Sequence, residues 1–273
     1  IKFSQYIVFV SCTFSKNVVR VSSYSYAAVT IHSGKSLDVK DCFFSKNVGG
    51  LGGSINLKSV DQVSVTQTNF SLNHAWNGGT IYSARGVQIT INEGIFLENL
   101  GKSTGGAIKA TLCREFLSIK NIVWKNKANV KGGGILIEKV SKFFDTDSVY
   151  GHNIALKIGG AVAALTNVHF VTFVNCKFIN NGARHWSAMV IDNSRYVRNL
   201  HNMFSNNVAD YSGVIGIIHF EVYLGMNCII EHNRVNIEGS CLLAQSGKNF
   251  SDINSTFSNN LKPRIGGGHH IVN

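Results

Sequence analysis

An aromatic or apolar residue followed three positions later by asparagine recurs along the whole chain, and no other feature constrains the fold as tightly. The pairs are Phe14/Asn17, Phe44/Asn47, Phe70/Asn73, Phe96/Asn99, Val123/Asn126, Tyr150/Asn153, Phe178/Asn181, Phe204/Asn207, Ile230/Asn233 and Phe257/Asn260. Successive asparagines lie 30, 26, 26, 27, 27, 28, 26, 26 and 27 residues apart. A fixed period of this length identifies a repeat architecture, in which each unit buries its apolar face against its neighbours. The second mark of the repeat is a glycine corner five to seven residues after the asparagine. It reads Gly52-Gly53-Ser54-Ile55, Gly78-Gly79-Thr80-Ile81, Gly105-Gly106-Ala107-Ile108 and Gly159-Gly160-Ala161-Val162, with weaker versions at Gly133, Ser187, Gly213 and Gly239.

Upstream of each aromatic stands a short alternating run such as Val63-Ser64-Val65 or Phe170-Val171-Thr172-Phe173. Alternation over four to six residues is the strand signal, and no helical pattern separates the runs. The chain therefore reads as all-β: a right-handed parallel β-helix of about ten coils, roughly 27 residues each, forming one domain over residues 1–273. Three strands of about five residues and three turns would fill such a coil. Equivalent positions would then stack about 4.8 Å apart. The phenylalanines form an interior column. The asparagines form a ladder: their amides can bond to the coils above and below, and asparagine tolerates the left-handed conformation of a tight turn.

Composition narrows the function classes. With 44% hydrophobic and 15% charged residues the chain is built to pack a core, and one proline among 273 residues excludes proline-rich linkers. The net charge of +11 favours acidic glycans or other polyanionic surfaces as partners. No run of basic residues marks a nucleic-acid arm, so no specific nucleic-acid partner is expected. No apolar stretch reaches the length of a transmembrane segment.

The combination of Phe-x-x-Asn-x-Ala with Gly-Gly-Ala-Ile resembles the repeat of chlamydial polymorphic outer-membrane proteins and of similar protist surface proteins. The best matches are Phe70 to Ala75 with Gly78 to Ile81, Phe96 to Asn99 with Gly105 to Ile108, and Phe178 to Ala183. The paired glycines are lost around Ser187 and Gly239. The resemblance implies display outside the cell or at its surface and a structural or adhesive role, and it carries no binding residue. End-to-end assembly into filaments is a further expectation, since Ile1 to Phe14 reads as part of a coil and Lys262 to Asn273 as the start of another.

The rival is a polysaccharide lyase or hydrolase, which needs clustered carboxylates. Three positions before each aromatic the column reads Ser11, Asp41, Gln67, Glu93, Lys120, Asp147, Asn175, His201, Asn227 and Asn254. Asp41 and Glu93 would lie two coils apart, about 10 Å. Asp145 and Asp147 are read as sharing a strand face, with Lys120 beside Asp147 for a surface ion pair. No catalytic set follows, no cofactor is expected, and the ten histidines, including His152, His232, His269 and His270, show no ligand spacing. Cys12 and Cys42 share a column, as do Cys176 and Cys228. Stacked strands point such side chains the same way, so all six cysteines, Cys113 and Cys241 included, are expected mainly as free, buried apolar groups. In an exported chain the N-x-Ser/Thr acceptors Asn69, Asn249 and Asn254 would be the glycosylation candidates.

Overall fold

The computed structural model describes residues 2–19, 26–261 and 269–272, and every described element is a strand. All strand pairings are parallel. The aromatic positions are in direct register, Phe14 with Phe44, Phe44 with Phe70, and so on to Ile230 with Phe257. The chain is thus a parallel β-helix of about nine turns between the first and last aromatic positions.

A middle coil holds four short strands rather than three. One example runs Ile95–Leu97, Leu100–Thr104, Ile108–Thr111 and Glu115–Ile119. The glycine corner supplies the additional break, because its first glycine adopts a positive φ (Gly105, +63°). The second glycine is needed for a different reason: a Cβ on Gly106 would lie 1.9 Å from the Gly133 carbonyl oxygen of the next coil. In the outer coils the strands fuse into longer ones, as in Ile55–Thr66, Val208–Met226 and Arg234–Ile253.

Inside, the phenylalanines stack face to face. Ring centroids are 4.9 Å apart for Phe70 and Phe96 and 4.8 Å for Phe178 and Phe204. The asparagine ladder runs beside them without a gap from Asn17 to Asn260. In each rung Nδ2 donates to the Oδ1 of the next asparagine, as from Asn99 to Asn126 at 3.0 Å and from Asn126 to Asn153 at 3.1 Å. That Nδ2 also donates to the aromatic-position carbonyl of the preceding coil: Asn126 to Phe96 at 2.9 Å, Asn207 to Phe178 at 2.8 Å. The backbone N–H joins in, donating from Asn73 to Asn99 Oδ1 at 2.9 Å. Each interior amide therefore spends both N–H groups and both lone pairs of its oxygen on the scaffold. Asn47, Asn73, Asn99, Asn126, Asn153, Asn181, Asn207 and Asn233 are buried.

The asparagines are not the left-handed residues of this turn. That conformation falls on the residue before each one, Lys46, Leu72, Glu98, Lys125 and His152 among them, with φ of 54°, 56°, 55°, 55° and 54°. The asparagine is selected for its side-chain bonds, and the strain sits on an exposed neighbour. Of the end segments, His269–Val272 pairs in parallel with Leu242–Gln245, whereas Ile1, residues 262–268 and Asn273 lie outside the described residues.

Candidate functional site

The strands on either side of the glycine corner meet in a concave elbow that runs along the rod. Ile55 and Leu57 point into the main core, and so do Ile135 and Ile137. The residues between them, Asn56 and Leu136, point to the opposite side yet are 3% and 0% exposed. Both faces of this strand are therefore covered. The floor column of the elbow runs in register through Thr30, Asn56, Tyr82, Lys109, Leu136, Ala163, Val190 and Gly216. The wall opposite is built from Leu51, Asn77, Thr104, Lys131, Ile158 and His185.

The late half of this groove is filled by the chain itself. Leu136, Ala163, Leu165 and Val190 form a second apolar cluster, packed by Ile158, Trp186 and Ile218. Trp186 occupies the position that glycine holds in earlier coils, keeps the same left-handed backbone (φ 54°), and lays its indole over Gly216. A Cβ on Gly216 would come within 2.3 Å of the indole Nε1. Beside it His185 Nδ1 lies 2.9 Å from Ser212 Oγ and stacks on Tyr211, whose ring also carries the Arg184 guanidinium. Burial, then the Arg184 charge, pushes the His185 imidazole below the ordinary histidine range, with Asp210 opposing.

The early half is polar and open. A cavity of about 260 Å³ is lined there by His32, Asn56, Lys58, Tyr82, Arg85 and Thr111, with Leu51, Ala84 and Leu112 supplying apolar surface. Where the two halves meet, Lys109 Nζ lies 3.2 Å from Glu138 Oε2 and donates to Thr104 Oγ1 at 3.3 Å. Thr104 Oγ1 in turn lies 2.6 Å from Asn77 Oδ1. Burial and the Glu138 charge raise the Tyr82 phenol above its ordinary value, with Arg85 opposing.

The carboxylates singled out from the sequence do not converge. Gln67 Nε2 donates to Glu93 Oε2 at 2.9 Å, so that column forms an exposed amide–carboxylate pair. Its members, from Ser11 to Asn254, all adopt positive φ and form a left-handed corner, a pattern hidden by their varied side chains. Asp145 and Asp147 do not share a face. Asp147 is exposed and accepts from Asn175 Nδ2 at 2.6 Å rather than pairing with Lys120.

Asp145 instead points into the core, fully buried, where the Tyr150 hydroxyl donates to its Oδ2. This explains a tyrosine in the phenylalanine column. Burial raises the Asp145 carboxyl from 3.8 to about 6, opposed by hydrogen bonds from Ser148, Tyr150, Ser118 and Cys176.

All six cysteines are free, five of them buried. The column of Cys12, Cys42, Cys176 and Cys228 is a second polar ladder that the sequence reading missed. Cys176 N–H donates to Asn202 Oδ1 at 2.8 Å, Asn121 N–H to Ser148 Oγ at 3.1 Å, and Cys42 N–H to Thr68 Oγ1 at 3.3 Å. Its signal was a column of small polar side chains two positions before the aromatic positions, interrupted only by Gly94, which joins through its backbone N–H to Asn121 Oδ1 at 2.7 Å. Among the described residues no group of three metal-ligating side chains comes together. His152 packs on Trp124 and His232 lies near Glu231. Among the described residues no helix is long and apolar enough to cross a membrane. Asn69, Asn249 and Asn254 are all exposed.

Comparison with family models, with curated proteins and with solved structures finds no match.

Proposed function

We propose that the chain is a structural or adhesive β-helix rod displayed outside the cell or at its surface, holding acidic glycans or other polyanionic surfaces as partners. The observation that carries this reading is where the polar chemistry goes. An unbroken amide ladder from Asn17 to Asn260 ties the coils together, while Glu93 and Asp147 accept from neighbouring side-chain amides. Such a rod is a scaffold that presents its outer face. The exposed acceptors Asn69, Asn249 and Asn254 suit an exported chain, the +11 charge suits an anionic partner, and the resemblance to chlamydial and protist surface repeats points the same way.

The test is adhesion. Beads coated with the protein should bind cells carrying acidic surface glycans and release them in high salt. Equal binding to cells stripped of those glycans overturns the reading. Intact-mass analysis of native material tests export through sugar at the three acceptors, and sedimentation across a range of concentrations tests end-to-end assembly.

A second reading, a carbohydrate-active β-helix, is favoured by the cavity in the concave elbow. Against it, the one carboxylate at the groove junction, Glu138, is engaged by Lys109. Release of new reducing ends or unsaturated products from acidic polysaccharides would establish it.

A further inference from the structure

The geometry points to a binding site for a terminal carboxylated sugar residue in the early half of the groove, with Lys58 and Arg85 holding the carboxylate. This deepens the adhesive reading and rests on it for the source of the ligand. Three observations combine. The first is unbalanced charge. Lys58 and Arg85 are exposed at the mouth of the cavity and belong to none of the ion pairs among the described residues, whereas the next cation along the groove, Lys109, is engaged by Glu138. An arginine fork donates two parallel hydrogen bonds to a carboxylate, and a nearby ammonium adds a point charge.

The second observation is the mixed lining. Asn56 and Tyr82 are adjacent in register on the floor, where Tyr82 offers a hydroxyl, while Leu51, Ala84 and Leu112 offer apolar surface. A pyranose ring has this same mixture of hydroxyl edges and C–H faces. The volume, about 260 Å³, falls just under the roughly 300 Å³ at which pockets for drug-sized ligands begin. A space of this size accommodates one sugar ring.

The third observation decides between the end and the middle of a glycan. Beyond Lys109 the groove floor is closed, since Leu136 and Ala163 are 0% exposed and Val190 is 1% exposed under Ile158 and Trp186. A polysaccharide cannot thread along the elbow past this point. The site is blind on that side and accepts a chain end, whether the carboxylate belongs to a uronic acid or to a sialic acid.

Titration calorimetry on the whole chain tests this with short oligosaccharides of four kinds: uronate-terminated, sialate-terminated, the uronate probe with its carboxylate reduced to an alcohol, and a sulfated one. Lys58→Gln combined with Arg85→Asn removes both charges, and asparagine tolerates the left-handed backbone of residue 85 (φ 60°). We expect at least tenfold weaker binding of the preferred carboxylated probe in this variant, an unchanged melting profile, and no comparable loss in Lys142→Gln, whose cation pairs with Glu115 elsewhere. Preference between the uronate and sialate probes identifies the source.

Undiminished binding by the double variant, equal binding of the reduced or sulfated probe, or no binding of either carboxylated probe by the unaltered protein would each overturn the site. Beads of the double variant that still adhere like the unaltered protein would remove the site and leave the adhesive reading standing. Carboxylate binding at this site by a protein whose beads adhere to no cell would do the reverse.

Discussion

The two halves of the groove share one backbone and opposite contents. Asn56, Tyr82 and Lys109 occupy the same floor column as Leu136, Ala163 and Val190, in continuous register and with corners of the same left-handed form, glycine in each coil except at Trp186. One half holds an open polar cavity; the other is sealed as a second apolar core. The coil thus tolerates either filling, because the interior columns that tie neighbouring coils together are the same in both halves. The outer face of a solenoid coil can be respecified coil by coil while the amide ladder and aromatic stack stay constant.

Exchanging residues between the halves gives the strongest test. Leu136→Lys places an ammonium in the dry half and should destabilise by roughly 5 kcal/mol, the cost of an uncompensated buried charge. Chemical denaturation reads this directly, and a loss under 1 kcal/mol would show that the late half is wetter than its burial implies.

Beneath both halves, Asn126→Leu strands the Asn99 N–H and amide donors and the Phe96 carbonyl, which bond to Asn126. At about 1–3 kcal/mol per stranded buried group, a loss of roughly 4 kcal/mol is expected. A loss within the range of surface substitutions would show that the ladder decorates the fold without holding it.

Trp186→Ala uncovers the second core and should cost roughly 3 kcal/mol. It should also open the late groove, so that binding of an apolar dye there increases.

The interior of the rod has its own contrast, with Asp145 among apolar residues. Its carboxyl is raised from 3.8 to about 6, so the folded chain retains a proton that the unfolded chain has released. Stability linked to this group is therefore greatest below about pH 4, falls as pH rises towards 6, and is flat above. The difference is about 3 kcal/mol across that window. Denaturation at pH 4, 5, 6 and 7 should show that Asp145→Asn has lost this component of the slope, and an unchanged slope would mean the carboxyl ionises freely.

The smallest effect is the reciprocal exchange. Lys109→Leu breaks a partly exposed ion pair and should change stability by less than about 1 kcal/mol.

How much of this was legible in the residue order follows from what repeats. The period of Phe70/Asn73, Phe96/Asn99 and their equivalents specified parallel stacking, an interior ring column and an inward amide, because one side-chain type at one register recurs only where one environment recurs. The second ladder was harder to see. Cysteine, threonine, serine and asparagine all meet the same hydrogen-bond requirement, so Cys42, Thr68, Ser148 and Asn202 share a role without sharing a type. Left-handed corners were hidden for the same reason, since that strain falls on whichever residue is exposed there. Asp145 was misplaced onto a common face with Asp147 because the turn at Asp147 (φ 58°) breaks the strand alternation between them.

The elbow was decided by tertiary structure alone. Leu51 and Tyr82, or Trp186 and Gly216, lie 30 or so residues apart and meet only once the glycine corners fold the outer surface back on itself. A repeat determines what is the same in every coil. A groove is made from what differs between coils, and those differences acquire meaning only when stacking brings them side by side.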